Sequence, residues 1–532
     1  MAIRSKEPLA ITRKQILYIA GTISILILFH VFRIDLKSIH HDESINGWFL
    51  LQMGREHFYR YDPSNYHGPF FFYFAKIIET IFGANYLSLR ISAAIFSVMT
   101  WSMVLSWGVY RKSSLQFFAL IAGLGPAVLF FGRSGIHEST FVFFQVMVMI
   151  GFLEWRKFGN TKGIVIICYG LIGASLNKET FVLGVVAALV GFVFSMDWKL
   201  NDHPANHLED GSNISLKGSF KSSFKNNFKW IEDFKTLSWS VHGPILIFLY
   251  LGFFSGFGYN WNGILDSIRA FLPWLKTGQA GAGHGKPWFF WLSTIQKNEY
   301  FIFTAVLVAI YSVFTRQRLR RGLAVFAIFN LLIYSVIPYK TIWCLLTISW
   351  PFVFVFGLFI DQLTLPARKV ATLAVVFTLV ALINLWTLRS ILFVAPLNYE
   401  HNYVYVQTLP QMKELNQFIH AKSRLFPGKI ITAAKDAWPL PFLFHDIPSY
   451  VYLNETLQVL EMDMKEILVL AIDQSLATKP LYQLYAGWPQ RSFHIREARE
   501  PVIIFFRPEF FQNDETLNSN IFEPHQAPDF SQ

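Results

Sequence analysis

The chain has 532 residues, 53% hydrophobic and 17% aromatic but only 15% charged, where soluble domains carry about 25% charged residues; most of it therefore belongs in lipid. The formal charge of +11 does not point to nucleic acid, because no basic stripe interleaved with base-stacking aromatics accompanies it, and polytopic proteins gather Lys and Arg on cytoplasmic loops. Both cysteines, Cys168 and Cys344, fall inside apolar runs, which excludes a disulfide framework and a Cys-rich metal site.

The first apolar run, "QILYIAGTISILILFHVF", follows Arg13 and Lys14 and has no small-residue cleavage site behind it. It is expected to be an uncleaved signal anchor. The stretch "SIHHDESINGWFLLQMGREHFYRYDPSNYHGPF" (38–70) comes next and crowds acids, histidines and aromatics beside the membrane. Within it Ile45, Trp48, Phe49, Gln52 and Met53 share one helical face, apolar apart from the glutamine, the pattern of a helix lying at the interface. "GPFFFYFAKIIETIFG" (68–83) carries Lys76 and Glu79 and is short for a span, so it reads as a second interfacial helix. The first external loop, 34–86, is thus expected to enclose a cavity at the membrane surface rather than a pore.

Eleven spans make a self-consistent map: roughly 15–33, 87–109, 115–131, 139–154, 162–177, 180–196, 243–257, 299–315, 321–337, 342–361 and 368–395. The pair 162–196 also reads as one long hairpin. With the N-terminus inside, the cytoplasmic side, including the 197–241 loop, holds about twenty Lys and Arg against about ten outside, as the positive-inside rule asks. After Pro396 short apolar runs ("KIITAA", "EILVLAI", "PVIIFF") alternate with amphipathic stretches, the pattern of a small α/β domain. The odd number of spans puts that domain outside. The expected architecture is an all-α polytopic membrane domain over 1–395 and an extracytoplasmic α/β domain over 396–532, in the plasma membrane.

This topology sorts the unusual polar motifs to one face: "HHDE" (40–43), "YHGP" (66–69), "FGRSGIHES" (131–139), "NKE" (177–179), "GHGKPW" (283–288) and "YKTIW" (339–343). Charges at span ends are costly unless partnered or liganded, so six such motifs argue for one site. Asp42 suits either the N-cap of a helix starting near Glu43 or a general base for a hydroxyl acceptor; a capping box from Asp42 is not available, because Ile45 stands where Glu or Gln is wanted. Arg133, Lys178 and Lys340 either snorkel or form a nest for an anionic head group, and at that depth the obvious anion is a lipid phosphate. Histidines 40, 41, 67, 137 and 284, with Glu43 and Glu138, could ligate Zn²⁺ or Mg²⁺, although their spacing matches no recognised metal motif; His67-Gly68-Pro69 is as easily a rigid turn. In "KDAWPLPFLFHD" Trp438 could stack on a sugar ring or simply pack.

The ordered set "HHDESINGWFLLQMG…YRYDPSNYHGPFFFY", "FGRSGIHESTFVFF", "ASLNKET", "GHGKPWFFW" and "YSVIPYKTIW", with "NYVYVQT" (402–408) and "AWPLP" (437–441), resembles the polytopic glycosyltransferases of C-type fold. That superfamily includes protein O-mannosyltransferases and aminoarabinose transferases, and the likeness is closest to the flippase-activity-associated branch near archaeal glycosylation genes. The resemblance covers most of residues 30–450. It implies a polyprenyl-phosphate sugar donor and an acceptor hydroxyl on protein, lipid or glycan. It also implies catalytic roles for Asp42 and Glu43, donor-phosphate binding by Arg133, Lys178 and Lys340, and a substrate cavity walled by His41, Tyr66, His67, Glu138, Glu179, His284 and Lys286. Glu138 stands where the family usually has Asp, and Ile342 where many branch members have proline. A phosphate leaving group needs cations rather than a general acid, and a single carboxylate base opposite it implies one inverting displacement. The residues single out no particular cofactor, and a divalent metal stays open. A lipid-linked-sugar flippase or a non-catalytic assembly subunit are the alternatives; transporters place polar groups near the midplane in repeated halves, whereas here they gather at one face.

Overall fold

A computed structural model describes residues 11–65, 67–196, 229–280, 284–363, 367–394, 401–434, 437–453, 462–496, 501–511 and 523–524. Helix α1 (Arg13–Val31) opens on a capping box in which the Thr12 hydroxyl accepts from Gln15 N and the Gln15 side chain accepts from Thr12 N. Leu17, Ile25 and Leu28 on α1 are exposed, as befits a helix bathed in acyl chains. Two shorter helices follow, α2 (His41–Glu56) and α3 (Phe70–Phe82). On α3 the residues Phe71, Phe72, Ala75 and Ile78 are buried while Ile77 and Ile81 are exposed, so one face meets protein and the other lipid.

Helix α4 (Tyr86–Arg111) starts at Asn85, whose side chain accepts from Leu87 N and Ser88 N. The expected span 115–131 is in fact two helices, α5 (Leu115–Gly123) and α6 (Pro126–Phe131). At the break the buried Glu299 carboxylate accepts Ala127 N at 2.6 Å and the Tyr403 hydroxyl at 2.6 Å. A partner distant in sequence thus satisfies a backbone group that lipid could not. Helices α7 (Glu138–Phe158) and α8 (Lys162–Ser175) touch backbone to backbone, since a Cβ on Gly163 would sit 2.4 Å from Gly151 O. Helix α9 (Phe181–Ser195) turns from α8 and packs mainly on the helix Arg318–Val336.

Among the described residues five helices are long and apolar enough to cross a membrane: α1, α4, α7, Arg318–Val336 and the segment Ile342–Gln362. The shorter apolar helices α8, α9, Trp239–Phe254 and Tyr300–Val313 lie where further spans are expected, and Ala367–Arg389 occupies the last. Of these five, the segment Ile342–Gln362 is the most enclosed by protein.

The C-terminal region is a six-stranded sheet, ordered β2-β1-β3-β5-β4-β6. Its strands are β1 (Lys429–Ala433), β2 (Tyr450–Leu453), β3 (Ile467–Asp473), β4 (Gln490–Phe493), β5 (Val502–Phe506) and β6 (Glu523–Pro524). β1 runs parallel to β2 and β3, whereas β5 is antiparallel to β3 and β4. Every residue of β3 is buried, which explains why "EILVLAI" shows no alternation: both faces are covered. The helix Leu440–Leu443 seats this domain on α2. Phe442 fills the space where a Gly47 Cβ would lie, 2.3 Å away, and Trp438 meets Trp48 edge to face at 6.0 Å. Trp438 is therefore a packing residue of the junction.

Candidate active site

Three isolated β-bridges draw the polar motifs together: His40 with Gln407, His67 with Lys178, and Gly285 with Tyr339. Each joins stretches far apart in sequence. The His67 bridge depends on Gly68, because a Cβ there would lie 2.2 Å from Leu176 O. Gly68 N donates to Asn177 O and Phe70 N to Leu176 O, both at 3.0 Å. The "HGP" turn is thus a close approach of two chain segments, and it delivers Lys178 beside the first external loop.

The adjacent acids Asp42 and Glu43 have opposite surroundings. Glu43 is fully buried and accepts from His40 N, Arg90 Nε, Arg90 Nη2 and Gly135 N at 2.7 to 2.9 Å. Arg90, equally buried, sends its other N–H groups to the carbonyls of Ile34, Lys37 and Ser38. Burial raises the Glu43 carboxyl, but the Arg90 guanidinium outweighs it and brings it down to about 2. A capping box is present two residues earlier than Asp42: His40 is the N-cap, and Glu43 is its reciprocal partner. The His40 ring, pushed down to about 4 by burial, is neutral, so its Nδ1 accepts Asp42 N at 3.0 Å. The cap role thus falls on His40 rather than Asp42, and Glu43 is a frame residue that does not line the cavity.

Asp42 keeps 33% of its side chain exposed and accepts from His41 Nδ1 at 2.8 Å. Burial raises its carboxyl, yet the His41 hydrogen bond and the nearby histidines bring it well below the usual carboxylate range. It is an anion at neutral pH. Two chambers meet at this carboxylate. The first, about 280 Å³, runs from Asp42, His67, Lys178 and Glu179 to the apolar walls of Leu183, Trp274, Trp291, Tyr334 and Val336. The second, about 160 Å³, is polar and is lined by Asp42, Asn46, Ser64, Asn65, His67, His137 and Glu138. Asp42, His67, Tyr339 and Trp343 belong to both.

The three expected phosphate-binding cations do not converge. Lys178 alone lines a chamber, and its ammonium donates to both Glu138 oxygens at 2.9 and 2.8 Å, with Cys344 Sγ at 3.9 Å. Burial lowers Lys178, but the acidic groups around it, Cys344, Glu138 and Glu179, raise it well above the ordinary value. Arg133 instead donates to Phe32 O at 2.6 Å, at the C-terminal end of α1, and lies over the Phe393 ring. Lys340 Nζ donates to the carbonyls of Lys286 and Ile337. A residue near a span end can point toward the cavity or away from it, and packing decides which.

Glu179 lines the first chamber and lies 3.5 Å from His67 Nδ1. His284 contacts the Tyr405 hydroxyl through Nδ1 and Tyr339 through its ring face, and Lys286 Nζ lies over the Tyr405 ring. These two form the rim beside Tyr339 rather than the chamber walls. Tyr66 lies outside the described residues. Among the described residues no group of three or more His, Cys, Asp or Glu is arranged to hold a metal ion; the histidines are engaged in caps and ring contacts instead. Sequence reasoning missed Arg90, whose signal is a lone arginine entering an apolar span, and the chamber residues Asn46, Asn65, Trp274 and Trp343, which carry no signal of their own.

No protein-family model and no curated protein matches the chain. Among solved structures it is similar to ArnT from Cupriavidus metallidurans bound to undecaprenyl phosphate, with TM-score 0.55 and 13% identity over 93% of this chain and 98% of that one. The apo state of the same protein gives TM-score 0.55 and 13% identity, over 92% and 97% of the two chains. Arabinofuranosyltransferase AftD from Mycobacteria follows at TM-score 0.44 and 12% identity, covering 94% of this chain and 40% of that one. The chain therefore has the C-type glycosyltransferase fold, a polytopic helical membrane protein with a small α/β domain at its C-terminus.

Proposed function

We propose that the chain transfers a sugar from a polyprenyl-phosphate donor to an acceptor hydroxyl on the extracytoplasmic face, with inversion at the anomeric carbon. The observation that supports this most directly is the position of Asp42 in the wall common to an apolar-walled chamber holding Lys178 and a polar chamber without an apolar tunnel. Lys178 suits the donor phosphate as a point charge, and the apolar walls suit the first isoprene units. The neighbour ArnT, which was solved with undecaprenyl phosphate bound, is consistent with such a donor.

In the reaction the acceptor oxygen forms a bond to the anomeric carbon while the carbon–oxygen bond to phosphate breaks. The bonding pair leaves on the phosphate, which Lys178 holds, and the acceptor proton passes to Asp42. Because Asp42 is a weak base, it takes the proton late, when the forming bond has already made the hydroxyl acidic. His41, hydrogen-bonded to Oδ1, fixes the carboxylate's direction. Asp42→Asn should therefore retain binding of a polyprenyl-phosphate hexose and lower transfer by about 10²- to 10⁴-fold, read by radiolabelled product formation. Transfer undiminished in that variant would remove Asp42 from the mechanism.

A further inference from the structure

The transfer leaves the acceptor's chemistry open, and the polar chamber bears on it. Its wall supplies amides from Asn46 and Asn65, the Ser64 hydroxyl and the ring of His137. His137 is only 3% exposed, its ring is wedged among His67, Phe71 and Phe72, and its Nε2 has no partner among the described residues. A buried polar atom without a partner is destabilising, and at a chamber wall the remedy is a ligand hydroxyl or water.

The same loop also shapes a second hollow. On its outer side a pocket of about 400 Å³ is lined by Gln52, Glu56, Phe58, Arg60 and Asp62 among others. A single turn separates the two, because Asp62 Oδ1 accepts both Ser64 N at 2.8 Å and Ser64 Oγ at 2.7 Å. Asp62 and Pro63 face the outer pocket while Ser64 and Asn65 face the inner chamber. The outer pocket combines an amide, an Arg60–Glu56 ion pair at 2.9 Å and aromatic edges, a mixture suited to a ring with hydroxyls on its rim and an apolar face.

Resting on the transfer reading above, we propose that the acceptor is a carbohydrate chain of at least two units. Its hydroxyl-bearing terminal ring occupies the chamber beside Asp42, and the next ring crosses the 62–64 turn to lie by Gln52 and Arg60. A peptidyl serine or threonine fits less well. It would insert one small hydroxyl into the 160 Å³ chamber and leave His137 Nε2 and Asn65 Nδ2 unmatched.

The test uses the purified full chain in lipid nanodiscs, with binding read by saturation-transfer NMR. The probes are mannobiose, cellobiose, chitobiose and galactobiose, each with its monosaccharide, and a threonine-containing hexapeptide. At least one disaccharide should bind tenfold or more tightly than its monosaccharide, without displacement by the peptide. Gln52→Ala with Arg60→Ala should then collapse that ratio toward one, while the Tm checks folding. The proposal is overturned if no disaccharide exceeds its monosaccharide, if the ratio survives the double substitution, or if the hexapeptide binds in preference. Release of free polyprenyl phosphate from a polyprenyl-phosphate mannose, measured separately, reads the transfer reaction itself. Disaccharide binding without such release would sink the transfer reading and leave the carbohydrate site standing; release with peptide preference would do the reverse.

Discussion

Two buried ion pairs stand near the cavity, and they are built differently. In the Glu43–Arg90 pair both side chains are wholly buried, the carboxylate takes four N–H donors, and the guanidinium reaches three backbone carbonyls besides. In the Glu138–Lys178 pair one ammonium serves both oxygens, its remaining direction meets only a sulfur at 3.9 Å, and both residues line chambers. A fully hydrogen-bonded network rigidifies its surroundings, whereas a partly satisfied one at a cavity wall can be completed by a ligand. The contrast teaches that charges beside one cavity can differ in kind: one pair frames the loop 34–43, and the other borders the two chambers.

The comparison can be broken most sharply at Arg90. Arg90→Met should cost about 3–5 kcal/mol, because it strands Glu43 as an uncompensated buried charge; a wild-type Tm in detergent would show that the frame lies elsewhere. Lys178→Met should cost less, about 1–3 kcal/mol, because Glu138 lies at the wall of the polar chamber and not within a closed hydrogen-bond network. Adding Glu138→Gln should restore the Tm without restoring retention of a polyprenyl phosphate in a pull-down. Recovery of retention in the double variant would remove Lys178 from phosphate binding.

The smallest effect is a pH dependence. Glu43 is lowered in the folded chain to about 2, against about 4.3 for an unfolded glutamate. Its contribution is therefore complete above the unfolded value and declines as pH falls through the folded one. The Tm gap between wild type and Arg90→Met should accordingly narrow between about pH 4 and pH 2 and stay constant from pH 6 to 8. A gap that instead narrowed toward alkaline pH would assign it to another group.

Much of the fold was legible because hydropathy is a local property. The first apolar helix, the two shorter helices that follow it and the mixed α/β tail all follow from the spacing of apolar residues, and the structure has elements at each place. The break between α5 and α6 was not legible, because it is stabilised by Glu299, more than a hundred residues later. The candidate site divides the same way. Side-chain chemistry singled out Asp42, His67, Glu138, Lys178 and Glu179, which line the chambers. It also singled out Glu43, Arg133, Lys340, His284 and Lys286, which line neither chamber.

By itself, then, the amino-acid sequence determined that this chain lives in lipid, where most of its long apolar helices lie, and that its polar motifs gather in the segments joining them. Only the tertiary structure decided which of two neighbouring acids faces a hollow, since consecutive helical residues point about 100° apart and Arg90 captures one of them. The physical reason is range. Hydropathy and helix capping are settled within a few residues, but the orientation of a charged side chain is settled by the strongest partner that folding brings within hydrogen-bond reach.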